Sequence, residues 1–175
     1  MKSLGKYVSK IVLMVMMFCF VFSLTAFANT KEANVIDILN VGHGKMSVAT
    51  RDMYFVKDTL NTEKLQGVVT EGLDFTLGLY LNEKGKAYYK EQYKLENDPT
   101  LVVLFVRTRF DQTNQKLYRQ VYKEKVFRSM NKDDWFEVKG ENDYADVSDN
   151  NLWLTITNKV CSIALELKKQ GKWID

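Results

Sequence analysis

Proline and histidine each occur once in the 175 residues, as Pro99 and His43, and cysteine occurs twice, as Cys19 and Cys161. With one histidine, a zinc centre would have to recruit Cys161 and carboxylates from distant positions that lack ligand spacing. A Cys–His nucleophilic pair meets the same objection, and nothing in the sequence would orient the imidazole. Cys19 falls in an N-terminal stretch expected to be removed, which leaves Cys161 alone and excludes a disulfide-framed fold. Cys161 is expected as a buried thiol, with an intermolecular bridge as the alternative.

The N-terminal stretch has the three parts of a secretory signal. Lys2, Lys6 and Lys10 precede an unbroken apolar run from Ile11 to Phe22, and Ala26-Phe27-Ala28 ends it with small residues at the cleavage positions. The run is shorter than the roughly 20 apolar residues of a bilayer-spanning helix. Residues 1–28 are therefore expected to be cleaved and residues 29–175 to form a single exported domain, in the periplasm, on the cell surface or secreted, with no transmembrane segment after cleavage. Phe18 precedes Cys19 where lipoprotein processing wants a small residue, which argues against lipidation there.

Surplus charge is also missing. The chain has 25 Lys and Arg against 22 Asp and Glu, but three of those lysines lie in the leader, so the remainder is balanced at 22 each. The basic sequence pI of 8.7 thus belongs to the leader, and no nucleic-acid role is expected.

The motifs present are fragments. Gly42-His43-Gly44-Lys45 follows a strand as a phosphate loop would, but Leu39 stands where the first glycine is needed and Met46 where Ser or Thr is needed. It reads as a turn. Ser129-Met130-Asn131-Lys132 and Ser148-Asp149-Asn150 match two penicillin-recognition signatures, yet no Lys-Thr-Gly follows and the chain is too short for that two-part fold. Glu141, Asp143, Asp146 and Asp149 supply oxygen ligands without a calcium-loop rhythm and read as solvated or capping carboxylates. No catalytic, cofactor or metal residue is assigned.

Periodicity carries the fold. Val35–Leu39 and Met46–Val56 are expected as strands, and residues 57–66 show no clear pattern. Leu73, Phe75, Leu77, Leu79 and Leu81 alternate with more polar residues as in a half-buried strand. After a turn at 82–86, residues 87–95 also alternate, which predicts a hairpin; a helix over 86–96 is the rival, because Tyr89 and Tyr93 lie four apart. Pro99 punctuates the domain, and Leu101–Val106, apolar on both faces, reads as a central strand. A turn at 111–115 leads to a strand over Lys116–Phe127, and Trp135–Val138 makes a short last strand before a loop over 140–148. Leu152, Ile156, Val160, Ile163, Ala164 and Leu167 draw one stripe along a C-terminal helix, with Ser148 or Asp149 as cap and Gly171 as stop. The fold expected is α+β, a curved antiparallel sheet of about five to seven strands with that helix packed across one face.

Charge is distributed unevenly. Arg107 to Arg128 contains seven basic residues against two acids, and Asp133 to Asp149 contains seven acids against Lys139 alone. Strand alternation would put Arg107, Arg109, Arg119, Lys123 and Lys125 on one face, because all five numbers are odd, with Val102, Leu104, Val106, Phe110, Tyr118, Tyr122 and Val126 on the other. Those five form a candidate face for an anionic ligand. Its alternative is a solvated surface answered by the acidic stretch.

Met53-Tyr54-Phe55-Val56-Lys57-Asp58, Asp134-Trp135-Phe136-Glu137-Val138 and a terminal helix carrying Val160-Cys161 give residues 46–161 an order that resembles small exported bacterial proteins of the surface-adhesin protein E type. The resemblance implies a compact α+β domain; the named member of that family binds host extracellular-matrix proteins. Lys57 interrupts the aromatic-aliphatic run before Asp58, and no proline introduces the last helix, so no binding residue is carried over.

The function expected is an exported cell-envelope or surface binding domain without catalytic activity or cofactor. Its partner would be an envelope or extracellular protein or an anionic glycan. Two alternatives are an envelope-polymer hydrolase using carboxylates brought together by folding, and a subunit of an envelope complex.

Overall fold

A computed structural model describes residues 35–128 and 134–171. The expected signal and the Ser129–Lys132 fragment lie outside these residues. The chain order is β1 (Val35–Val41), β2 (Gly44–Asn61), β3 (Gln66–Leu81), α1 (Glu83–Tyr93), β4 (Leu101–Asp111), β5 (Lys116–Phe127), β6 (Trp135–Lys139), β7 (Ala145–Asp146) and α2 (Asn151–Lys169). The strands form one curved antiparallel sheet in the order β1-β2-β3-β4-β5-β6, and β7 pairs with β5 as well. The α+β expectation holds.

The alternation of β3 defines two faces. Leu73, Phe75 and Leu77 share a core with α2, and Leu79 and Leu81 share one with α1, so both helices lie on the face of the odd-numbered β3 residues. Tyr89 and Tyr93 of α1 pack at one end on Leu79, Leu81, Val102 and Val126. Ile156, Val160 and Ala164 of α2 pack across the middle on Met46, Val48, Phe75, Leu77 and Val106. Full burial of a side chain such as Ile156 contributes about 1.5–3 kcal/mol. The expected stripe is therefore correct from Ile156 onward. Leu152 instead is exposed, and Trp153 takes its place against the core.

The hairpin expected over 87–95 is a helix. Asn82 caps it, its side chain accepting from the Gly85 backbone N–H at 2.9 Å; Lys86 pairs with Glu83 one turn away; and Tyr89 stacks on Tyr93 at 6.1 Å, the contact that the four-residue spacing allows. Lys94 closes it in the left-handed region, with φ 53°. Gly85 lies against the β1–β2 turn, where an added Cβ would stand 2.0 Å from the His43 carbonyl oxygen. At the other helix, Asn150 rather than Ser148 or Asp149 supplies the cap, accepting from the Trp153 N–H at 3.1 Å.

Two irregularities reset which side chains face the helices. In β2, Thr50 to Met53 stand opposite Phe75 alone, so that Met53 is tucked into the core and the inward residues change from Met46 and Val48 to Phe55 and Lys57. In β5, Tyr122 is an extra residue between the pairs Phe105–Lys123 and Val106–Val121. Beyond it, parity flips. No helix among the described residues is long and apolar enough to cross a membrane.

Candidate functional site

The flip at Tyr122 divides the predicted basic face. Arg119 pairs in register with Thr108, which pairs with Leu73, and so it lies on the helix side. There its guanidinium lies 4.8 Å from the Trp153 ring and donates to Glu141 at 2.7 Å. Tyr118 and Tyr122, expected opposite the cations, lie on their side instead: Tyr118 pairs with Arg109, and Arg107 sits 4.2 Å over the Tyr122 ring.

The four remaining cations share the helix-free face, and each is engaged within the chain. Arg109, only 3% exposed, donates to Asp58 at 3.0 Å and to Asp74 at 2.6 Å. Desolvation opposes its charge, but the hydrogen bond and field of Asp74 prevail and hold its pKa above the ordinary value. Arg107 shares Asp74 at 3.6 Å, Lys123 meets Glu137 at 2.6 Å, and Lys125 lies 3.8 Å above the Trp135 ring. Much of the acidic stretch folds back on the basic strand: Glu141 on Arg119, Asp146 on Lys116, and Asp134 on Arg128. The uneven charge read in the sequence is thus largely paired in the fold.

His43, in the β1–β2 turn, stacks on Tyr88 at 4.6 Å. Among the described residues, no cluster of three His, Cys, Asp or Glu side chains could hold a metal ion. Asp58 and Asp74 are brought together, but on the guanidinium they share.

A concave site lies on the helix side, between one flank of α2 and the strands β2 to β5. Two successive cross-strand rows form its floor: Phe55, Leu73 and Thr108, then Lys57, Glu71, Phe110 and Leu117. Its wall is the second flank of α2, where Leu154, Thr157, Asn158 and Cys161 follow the one-face spacing of a helix. Together they line a half-open cavity of about 600 Å³. Most of the lining is carbon. The mouth is polar: Lys57 pairs with Glu71 at 2.9 Å, and Gln112 donates to the other Glu71 oxygen at 3.0 Å.

The wall is held from the chain leading into α2. The Val147 N–H donates to the Leu117 carbonyl at 2.8 Å, and the Leu117 N–H donates to Ser148 Oγ at 3.0 Å. With Trp153 set against Arg119, these contacts fix where the helix begins and how far it stands from β5. Two polar groups sit in the apolar lining: the Thr108 hydroxyl, which donates to the Leu73 carbonyl at 3.2 Å, and Thr157 Oγ1, buried without a partner. Cys161, expected as a buried thiol, is partly exposed and lines this cavity.

No family model matches this chain, and no curated protein or solved structure is significantly similar to it.

Proposed function

We propose that the chain is an exported, non-catalytic binding domain of the bacterial cell envelope or surface, and that the cavity beneath α2 is its ligand site. The cavity carries this reading. Its volume falls within the range of about 300–1,000 Å³ typical of small-molecule sites, and it combines a mainly apolar lining with a few polar groups at the mouth. The reactive array that a hydrolase would need is not gathered there: among the described residues Glu71 is the only carboxylate in the lining, and it is paired with Lys57. The leader supports export. The basic face contributes less, since its cations are committed to Asp58, Asp74, Glu137 and the Trp135 ring.

The test has two parts. The full chain is expressed in a bacterial host and the exported product sequenced from its N-terminus; Asn29 is the expected first residue. That product is then titrated with an environment-sensitive apolar fluorophore, alongside the cavity-filling variant Leu154→Trp. Saturable binding that the variant loses while keeping its unfolding midpoint supports the proposal. Retention of residues 1–28 on a cytoplasmic product would overturn the export claim, and absence of saturable binding would overturn the site.

A further inference from the structure

The dimensions and chemistry of the cavity narrow its ligand class. We infer that it takes a single-chain amphiphile, one alkyl tail lying between α2 and the sheet with the headgroup left at the Lys57–Glu71 mouth. This inference rests on the proposed ligand site.

Volume comes first. At roughly 30 Å³ for each water-sized group, about 600 Å³ accommodates on the order of 20 non-hydrogen atoms. One long alkyl chain fits that space, and two do not. The lining comes second. An extended peptide would bring a donor and an acceptor at every residue, and each would need a partner inside. Phe55, Leu73, Phe110, Leu117 and Leu154 offer only carbon side chains, the Thr108 hydroxyl is already spent on Leu73, and Thr157 Oγ1, buried without a partner, is one group against the several that a peptide would need. A hydrocarbon tail asks for no hydrogen bonds and gains from every methylene removed from water.

The mouth supplies the third constraint. Lys57 and Glu71 neutralise one another at 2.9 Å, Gln112 holds the second Glu71 oxygen, and Lys168 stands 5.7 Å from the Phe55 ring, so the surroundings of the entrance are polar. Such a rim solvates a polar headgroup. Recognition therefore resides in the tail, and tail length is the variable to which affinity responds.

Cys161 makes the test direct, because its thiol lines the cavity and is the only cysteine after residue 28. The chain beginning at Asn29, which retains every described residue, is titrated with alkyl carboxylates and alkyl trimethylammonium ions of eight to eighteen carbons, each below its micelle threshold. A diacyl phospholipid and a compact aromatic probe serve as comparisons. In parallel, the rate of Cys161 alkylation by N-ethylmaleimide is followed. Affinity is expected to rise about fourfold per methylene until the cavity is full, and then to level off. The length dependence should appear in both the carboxylate and the ammonium series, the diacyl lipid should fail to compete, and saturating tail should slow alkylation at least tenfold.

If the compact probe binds and protects Cys161 while alkyl chains show no length dependence, the ligand class is wrong and the site stands. Competition by the diacyl lipid as strong as by single chains also overturns the ligand class. If neither probe nor alkyl chain protects the thiol, both the ligand class and the site fail.

Discussion

Arg109 offers the sharpest test of how this sheet is held, because its burial and that of its two partners differ. The guanidinium is 3% exposed, whereas the Asp58 and Asp74 side chains are 36% and 26% exposed. Replacing Arg109 with Met therefore leaves two carboxylates that can regain water by small movements, at an expected cost of about 1–3 kcal/mol. Replacing both acids in D58N/D74N leaves a guanidinium that cannot reach water and has lost its counter-charges, at about 3–5 kcal/mol. A domain of this kind has a total stability of about 5–15 kcal/mol, so the second loss is a large share of it. With a urea m-value of about 2 kcal/mol/M, the midpoint should fall by about 1 M for Arg109→Met and about 2 M for the double variant. The measurement is equilibrium urea unfolding followed by tryptophan fluorescence, repeated in 0.5 M salt. The order of the two midpoints should survive the salt, since buried pairs are poorly screened. A midpoint for Arg109→Met below that of D58N/D74N would refute the reasoning and make the carboxylates, not the guanidinium, the costly buried charges.

Three further outcomes follow from single residues. Burial raises the pKa of Glu124 above its ordinary value, against the lowering effect of the hydrogen bond from Tyr93, whose hydroxyl donates at 2.8 Å. A raised carboxyl pKa means the folded state binds more protons than the unfolded one. The contribution is thus present at low pH and lost as pH rises through the folded value. Glu124→Gln, which keeps an acceptor for Tyr93, should consequently be the more stable protein at pH 7 and lose that advantage on acidification; denaturant titrations across pH 4–8 would show it, and an advantage that grows on acidification would refute the sign. Gly85→Ala would ordinarily stabilise a helix by about 1 kcal/mol, but the His43 carbonyl 2.0 Å from the added Cβ reverses the sign, so a lowered thermal midpoint is expected in calorimetry. Leu117→Ala enlarges the cavity floor and should weaken apolar-probe binding while costing about 2–5 kcal/mol of stability, both readable in one probe-monitored melt.

The sequence made legible those elements whose side chains keep one period throughout. β3 alternates without interruption from Leu73 to Leu81, and α2 keeps its stripe from Ile156 to Leu167, so both faces were readable. α1 was ambiguous for a physical reason: over nine residues, Ala87, Tyr89, Tyr93 and Leu95 satisfy alternation nearly as well as Tyr89 and Tyr93 satisfy helical spacing. The cap from Asn82, a local interaction, decides it. The face of Arg119 was not readable, because one extra residue at Tyr122 inverts parity along the rest of β5. The Thr50–Met53 insertion in β2 likewise hid that Phe55 and Lys57 point toward the helices.

The cavity was the least legible feature. Its residues come from five elements, and its existence depends on where α2 stops covering the sheet. A second apolar flank on α2, through Leu154, Cys161 and the exposed Leu165, was the available signal. It passes for ordinary amphipathic width until the neighbouring strands are in place.

A ligand's hydrocarbon tail is expected to enter between α2 and the far end of the sheet. Methyl and amide NMR spectra of the chain beginning at Asn29, recorded while dodecanoate is added below its micelle threshold, test it most directly. Saturable shifts at Leu73, Phe110, Leu117, Leu154 and Cys161, with Val103 and Trp135 on the opposite face unmoved, are the predicted result. Shifts confined to the face of Phe105, Lys125 and Trp135, or no saturable shift at the cavity residues, would contradict it.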